Sequence, residues 1–258
     1  MILMLAGTSD ARELAVRIHG AGYNLLSTVV TESAAKSLEE AGIPVQIGRL
    51  DAGGMAELIR TRGVQVVVDA SHPFAEEASR QAMAAALQSE VPYIRYERER
   101  GTYEGHPRLI FVDDYEQAAE LAAERRGVIM LTTGSKTLHI FAERLIGLPD
   151  TRLVARMLPR KDNMDKCEQL GVEQKNIVAM QGPFSKELNQ ALYRHYGVTT
   201  VITKESGKIG AVEEKLAAAL EMDIDTIVIG RPQLDYGVVY SEFEGVLEEL
   251  NNTLQEVR

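Results

Sequence analysis

The 258-residue chain has one cysteine, no tryptophan and no long apolar run. The single thiol, Cys167, rules out an intramolecular disulfide and points to a reducing compartment, the cytoplasm. It sits in a polar helical stretch without Cys or metal-spaced His beside it, which reads as a structural residue rather than a nucleophile. No segment approaches the roughly 18 consecutive apolar residues of a membrane-spanning helix, and Ala82–Leu87 is far too short. The apolar start Met1–Ala6 lacks a basic flank and runs straight into Thr8-Ser9-Asp10, so it reads as a buried strand rather than a secretory leader. Positive charge is in deficit. There are 28 Lys and Arg against 38 Asp and Glu, a formal net charge of −10. That argues against nucleic acid or an anionic membrane as main partner. Histidine is also sparse, at five. No two have metal-ligand spacing and there is no Cys/His cluster, so no metal is expected.

What is present is ordinary globular composition, 45% apolar and 26% charged. At roughly 150 residues per domain the length suggests two compact domains or one large α/β domain. The pattern along the chain is strand, turn, helix, repeated. Apolar runs at Ile2–Ala6, Leu25–Val30, Pro44–Ile47, Val64–Val68 and Pro92–Tyr96 alternate with amphipathic helices. The rhythm breaks at the charged, aperiodic Glu97–Pro107 and restarts at Leu109. This predicts a first domain over 1–98, a linker over 99–108 and a second domain over 109–258, the final helix free to pack across the boundary. Uninterrupted apolar strands between helices predict parallel sheets covered on both faces. Right-handed crossovers then gather the strand-to-helix loops along one edge of each sheet, where α/β proteins bind ligands.

Four of those loops are rich in Gly, hydroxyl or basic residues: Gly7–Arg12, Asp69–Phe74, Thr132–Lys136 and Lys204–Gly207. Thr132-Thr133-Gly134-Ser135-Lys136 has the composition of an anion site. Gly permits close backbone approach, the hydroxyls donate, and a helix start supplies N–H groups. A helix start simply capped by Ser135 is the plainer alternative. Gly7-Thr8-Ser9-Asp10 stands where a dinucleotide fingerprint would, but Ser9 and Arg12 replace its later glycines. Glu32, after the second strand, is either a capping residue or a ribose ligand. Asp69-Ala70-Ser71-His72-Pro73-Phe74 closes an apolar strand, with Pro73 suited to open the next helix. There His72 is either a proton-transfer group or, with Ser71, a cap. Basic residues gather at strand ends: Arg95, Arg98, Lys136, Arg156, Arg160, Lys161, Lys204, Lys208 and Arg231. This favours a carboxylate- or phosphate-bearing ligand.

Taken in order, several segments resemble the precorrin-6A reductases of cobalamin biosynthesis, including the cobalt-precorrin-6A reductases. They are Gly7-Thr8-Ser9-Asp10-Ala11-Arg12-Glu13-Leu14-Ala15, Asp69-Ala70-Ser71-His72-Pro73-Phe74-Ala75, Arg95-Tyr96-Glu97-Arg98, Thr133-Gly134-Ser135-Lys136, Ala155-Arg156-Met157-Leu158-Pro159, Gly182-Pro183-Phe184-Ser185 and Thr203-Lys204-Glu205-Ser206-Gly207. The resemblance implies an α/β fold of two Rossmann-like domains with parallel sheets and an interdomain cleft. It implies an oxidoreductase that reduces a ring double bond of precorrin-6A or cobalt-precorrin-6A with NADPH or NADH. The macrocycle's many carboxylates would explain basic loop ends on an acidic protein. The expected cofactor residues are Gly7, Thr8, Ser9, Thr133, Gly134, Ser135 and Lys136. Ser71, Arg95, Arg156, Lys204 and Ser206 would bind substrate, and His72 would donate the proton. The expected state is a monomer or weak homo-oligomer. A non-redox tetrapyrrole enzyme of two α/β domains, or a non-enzymatic binding protein for a small polyanion, are the rival readings.

Overall fold

A computed structural model of the chain describes residues 1–99, 106–205, 207 and 211–256. Of the expected linker, residues 100–105 lie outside that set, as do Ser206 and Lys208. The chain forms two compact units, Met1–Glu99 with Gln233–Arg258, and Arg100–Pro232.

The first unit runs β1 (Ile2–Leu5), α1 (Ser9–Gly20), β2 (Leu25–Val29), α2 (Glu32–Glu39), β3 (Val45–Ile47), α3 (Ala52–Arg62), β4 (Val66–Asp69), α4 (Glu76–Gln88) and β5 (Tyr93–Tyr96). Its sheet is parallel, in the order β12-β5-β4-β1-β2-β3, where β12 is Val239–Tyr240. The period of two along each strand divides the core. Ile2, Met4, Val66, Val68 and Ile94 meet Leu14, Ile18 and Leu38 on one face. Leu3, Leu5 and Val67 meet Met55, Ile59, Ala82 and Ala85 on the other. Both faces are dry, which is why these strands carry no polar alternation.

The second domain is expected over 109–258 with its final helix free to pack across the boundary; the second unit is Arg100–Pro232. From Gln233 the chain belongs to the first unit. Val239 and Tyr240 pair in register with Arg95 and Tyr96. In α10 (Phe243–Glu256), Val246 and Leu250 enter the first core, and Phe243 packs 5.0 Å from the Tyr96 ring. A two-residue strand shows no periodicity, and the apolar stripe of α10 says that it is buried, not against which sheet.

The second unit runs β6 (Leu109–Val112), α5 (Tyr115–Arg125), β7 (Gly127–Leu131), α6 (Leu138–Leu145), β8 (Thr151–Met157), α7 (Lys161–Gln169), β9 (Ile177–Ala179), α8 (Lys186–Tyr196), β10 (Thr200–Lys204), α9 (Ala211–Glu221) and β11 (Asp225–Ile229). Its parallel sheet is ordered β6-β11-β10-β7-β8-β9. One face packs Met130, Val154, Val178 and Val201 against Tyr193, Ala218 and Ala219. Among the described residues no helix is long and apolar enough to cross a membrane.

The strand orders locate the functional edges. In the first unit β1 and β4 are neighbours, with β2 and β3 to one side and β5 and β12 to the other. This is the order of a doubly wound dinucleotide fold, with its switch point between β1 and β4. In the second unit β7 and β10 hold the same relation. Successive crossovers leave in opposite directions at such a point and open a crevice beyond the strand ends. The four loops singled out by composition are the ones that follow β1, β4, β7 and β10.

Candidate functional site

In the first unit Gly7 follows β1, and the space a Cβ would occupy there has no atom within 4 Å. Thr8 is extended, and its hydroxyl accepts the Ala11 N–H at 3.3 Å, capping α1. Ser9 is the first helical residue. Asp10, in the first turn, is buried, and its Oδ2 lies 3.5 Å from Arg98 Nε.

Asp69 closes β4 and stands opposite Arg95 of β5 in the strand register. Both side chains are fully buried and pair at 3.0 Å. Asp69 also accepts from the Tyr93 hydroxyl (2.7 Å) and the Ser71 N–H (2.9 Å). Burial pushes the Asp69 carboxyl up. Arg95, with hydrogen bonds from Ser71, Ser79 and Tyr93, outweighs that and leaves it below its ordinary value. Arg95 meets a second carboxylate, Glu97, at 3.0 Å, donates to Ser71 Oγ at 3.2 Å, and lies 4.9 Å from the Tyr236 ring centre. Arg95, expected among the substrate-binding groups, lies in a buried network with Asp69, Glu97 and Ser71.

His72 follows in a turn. Ala75 N–H donates to the His72 carbonyl at 2.7 Å, and Phe74 N–H donates to His72 Nδ1 at 3.1 Å. Nδ1 is therefore an acceptor, and Nε2 carries the ring hydrogen. The helix expected from Pro73 begins at Glu76. The Asp69 and His72 side chains take the backbone N–H groups of Ser71 and Phe74, a local arrangement that competes with a helical turn.

In the second unit Thr132 Oγ1 donates to the Ile202 carbonyl at 2.8 Å, tying the loop after β7 to β10. Thr133 is buried, with its hydroxyl 3.4 Å from that of Thr137. Gly134 has φ +81° and open space where a Cβ would stand. Ser135 is not the cap of α6. Its hydroxyl donates to Asn163 Oδ1 at 2.5 Å, its carbonyl accepts from Lys166 at 3.0 Å, and the helix begins at Leu138. Lys136 is exposed.

Next to this loop lies a group of cations. Arg156, near the end of β8, is 6% exposed. It donates to Asn189 Oδ1 at 2.6 Å, and its guanidinium lies 4.1 Å from the Phe184 ring centre. Gly182, joined to Pro183 by a cis peptide, makes room for that ring, since a Cβ there would come within 3.1 Å of Phe184 Cε2. Burial lowers the Arg156 pKa, with Tyr193 opposing. Lys204, which ends β10, lies 5.3 Å from the Tyr115 ring centre and is held down to about 8 by burial and then by Lys136. Glu205 and Arg231 form a buried ion pair. Arg160 and Lys161 pair with Asp162 and Asp165 on the surface.

Each edge has the strand order of a dinucleotide fold and the second gathers cations, and comparison with known proteins narrows the reading. Residues 1–251 match the family described as Precorrin-6x reductase CbiJ/CobK. The chain belongs to the precorrin-6x reductase family. It is 58% identical over 252 residues to the cobalt-precorrin-6A reductase of Priestia megaterium, spanning 98% of each chain. It is 34% identical over 253 residues to that of Methanocaldococcus jannaschii, spanning 97% of this chain and 98% of that one. A solved structure of CobK precorrin-6A reductase superposes with a TM-score of 0.79 at 26% identity, over 98% of this chain and 96% of that one. The α/β fold with two parallel sheets, expected from the strand–helix rhythm, is thus the fold of the precorrin-6x reductases.

Within this reductase, sequence reasoning missed two residues of the second edge. Asn189, fully buried, orients Arg156 and donates to the Phe184 and Ser185 carbonyls. Lys215 of α9 donates to Thr203 Oγ1 at 3.1 Å. A signal existed for both. Lys215 stands three and four residues before Ala218 and Ala219, and Asn189 four before Tyr193, so each interrupts an apolar stripe. Cys167 packs against Met157, Sγ to Sδ 3.5 Å, and burial pushes its thiol up. Its modification by an aromatic disulfide reagent is expected to be at least about a hundredfold slower in the folded enzyme than in denaturant. Comparable rates would give Cys167 an exposed, reactive place.

Proposed function

We propose that this chain reduces one ring double bond of cobalt-precorrin-6A, using NADPH or NADH, as a step of cobalamin biosynthesis. The observation that carries the reading is the 58% identity, across 98% of both chains, to a cobalt-precorrin-6A reductase. The geometry supports it. Two switch-point edges offer glycines with open backbone, and one adds cations suited to a polycarboxylate.

A bound nicotinamide supplies the hydride. The residues that fit such a cofactor are Gly7, Thr8 and Ser9, and Thr133, Gly134, Ser135 and Lys136. Gly7 and Gly134 leave the backbone open to a phosphate, and Lys136 offers it an exposed charge. For the macrocycle we assign Ser71, Arg156, Lys204 and Ser206 to its polar and carboxylate groups. Arg95 becomes a positioning residue that holds Ser71 through the Asp69 network. We assign the proton to His72 as its imidazolium, donated from Nε2; Nδ1, which here accepts the Phe74 N–H, must first take up a proton and give up that contact.

Loss of nicotinamide absorbance on mixing enzyme, cobalt-precorrin-6A and either cofactor under anaerobic conditions tests the activity. No oxidation with both cofactors would overturn it. His72→Ala is expected to lower kcat by about 10²–10⁴-fold with little change in KM. Turnover close to that of the unaltered enzyme would assign the proton to another donor.

A further inference from the structure

We propose that Arg156 and Lys215 together form an anion-binding subsite, for one carboxylate or phosphate group of the ligand, at the C-terminal edge of the second sheet. The inference rests on the reading of that edge as a ligand site. It adds a residue, Lys215, that no motif indicates.

The geometry has three parts. Arg156 and Thr203 stand two residues beyond Val154 and Val201, on the face of the sheet that α8 and α9 cover, so they cap that face's apolar core. Lys215 reaches that edge from α9, its Nζ on Thr203 Oγ1 of β10, one strand removed from Arg156 of β8 across β7. The groups around Lys215 are Thr203 and Lys204 from β10, Arg156 from β8, and Tyr193 from α8, whose hydroxyl donates to the Lys215 carbonyl at 3.3 Å. Among the described residues neither Arg156 nor Lys215 has a carboxylate within ion-pair distance. A nine-tenths buried guanidinium without a counter-charge is costly in the free protein, and a bound anion relieves that cost.

A consequence separates this subsite from an ordinary basic patch. Burial, then Arg156 and Lys204, hold Lys215 down to about 7. At pH 8 it is mostly neutral, and an arriving anion restores the charge. Binding therefore takes up a proton, and affinity falls by up to about tenfold per pH unit above 7. Polarity follows from linkage, since the bound state holds more protons than the free state.

Calorimetric titration at pH 8, in buffers of different ionisation enthalpy, reads the uptake directly. The probes are NAD⁺, NADP⁺, cobalt-precorrin-6A and inorganic phosphate. Uptake of close to one proton is expected with at least one probe, lost in Lys215→Met together with about a tenfold or larger drop in affinity. Lys215→Arg is expected to bind without uptake, because its charge is permanent. Uptake with the macrocycle alone assigns a substrate carboxylate; uptake with NADP⁺ but not NAD⁺ assigns the 2′-phosphate; uptake with both assigns the diphosphate. If neither cofactor nor macrocycle binds, the reductase reading fails. Phosphate binding lost in Lys215→Met then still sustains the subsite. Heats independent of buffer with every probe, or an unchanged affinity in Lys215→Met, overturn it.

Discussion

Arg156→Met is expected to keep the stability of the ligand-free enzyme within about 1 kcal/mol while cutting kcat/KM by about 10²–10³-fold. The two halves of this result have separate causes. Replacing a buried, uncompensated guanidinium by an apolar chain of similar length removes a desolvated charge, a change that is often neutral or stabilising by about 1–4 kcal/mol. Against it stands Asn189 Oδ1, which loses its 2.6 Å donor at a cost of about 1–3 kcal/mol. The terms nearly cancel. Catalysis has no such offset. A charge-assisted contact to a ligand carboxylate is lost outright, at about 2–5 kcal/mol, where each 1.4 kcal/mol is tenfold. Thermal melts without ligand, beside steady-state kinetics, check both halves. A large fall in stability with kcat/KM within a factor of a few would make Arg156 a structural residue and remove it from the ligand site.

Much of this was legible in the sequence, and the reason is local. Strands buried on both faces write themselves as unbroken apolar runs, so their ends, and the Gly, Ser, Thr and basic residues just past them, are visible without coordinates. The loops after β1, β4, β7 and β10 stand out by composition, and the strand orders place all four at the switch points. What was hidden depends on pairing between distant segments. Arg95 reads as one more basic residue at a strand end, yet its charge is matched by Asp69, opposite in register on the next strand. Register is not written in either strand alone. Lys215 lies inside a helix, away from any strand end, and reaches the edge only because α9 packs over β10. The return of Val239–Tyr240 to the first sheet is likewise a tertiary choice by two residues.

The other buried arginine should behave in the opposite way. Arg95→Met is expected to destabilise the enzyme by about 3–5 kcal/mol at neutral pH, because Asp69, fully buried, loses its counter-charge. The pH dependence of the loss carries the sharper prediction. In the unaltered protein the Asp69 pKa is depressed in the fold. Its contribution to stability is therefore present above the unfolded value, about 3.9, and is lost as pH falls through the folded value. Without Arg95, burial, the largest influence, is opposed only by the hydrogen bonds from Ser71, Ser79 and Tyr93, and is expected to raise the carboxyl above its unfolded value. The sign then inverts. A protonated Asp69 is tolerated, and the variant recovers stability as pH falls from neutral toward the unfolded value, while the unaltered protein gains nothing from this group. Denaturant unfolding at neutral pH and near pH 5 is expected to show the gap between the two proteins narrowing in acid. Adding Asp69→Leu to Arg95→Met should restore part of the loss at neutral pH and remove its pH dependence. A gap that stays constant with pH would mean that Glu97 or solvent, rather than Asp69, answers the Arg95 charge. The network would then no longer explain how Ser71 and His72 are held at the end of β4.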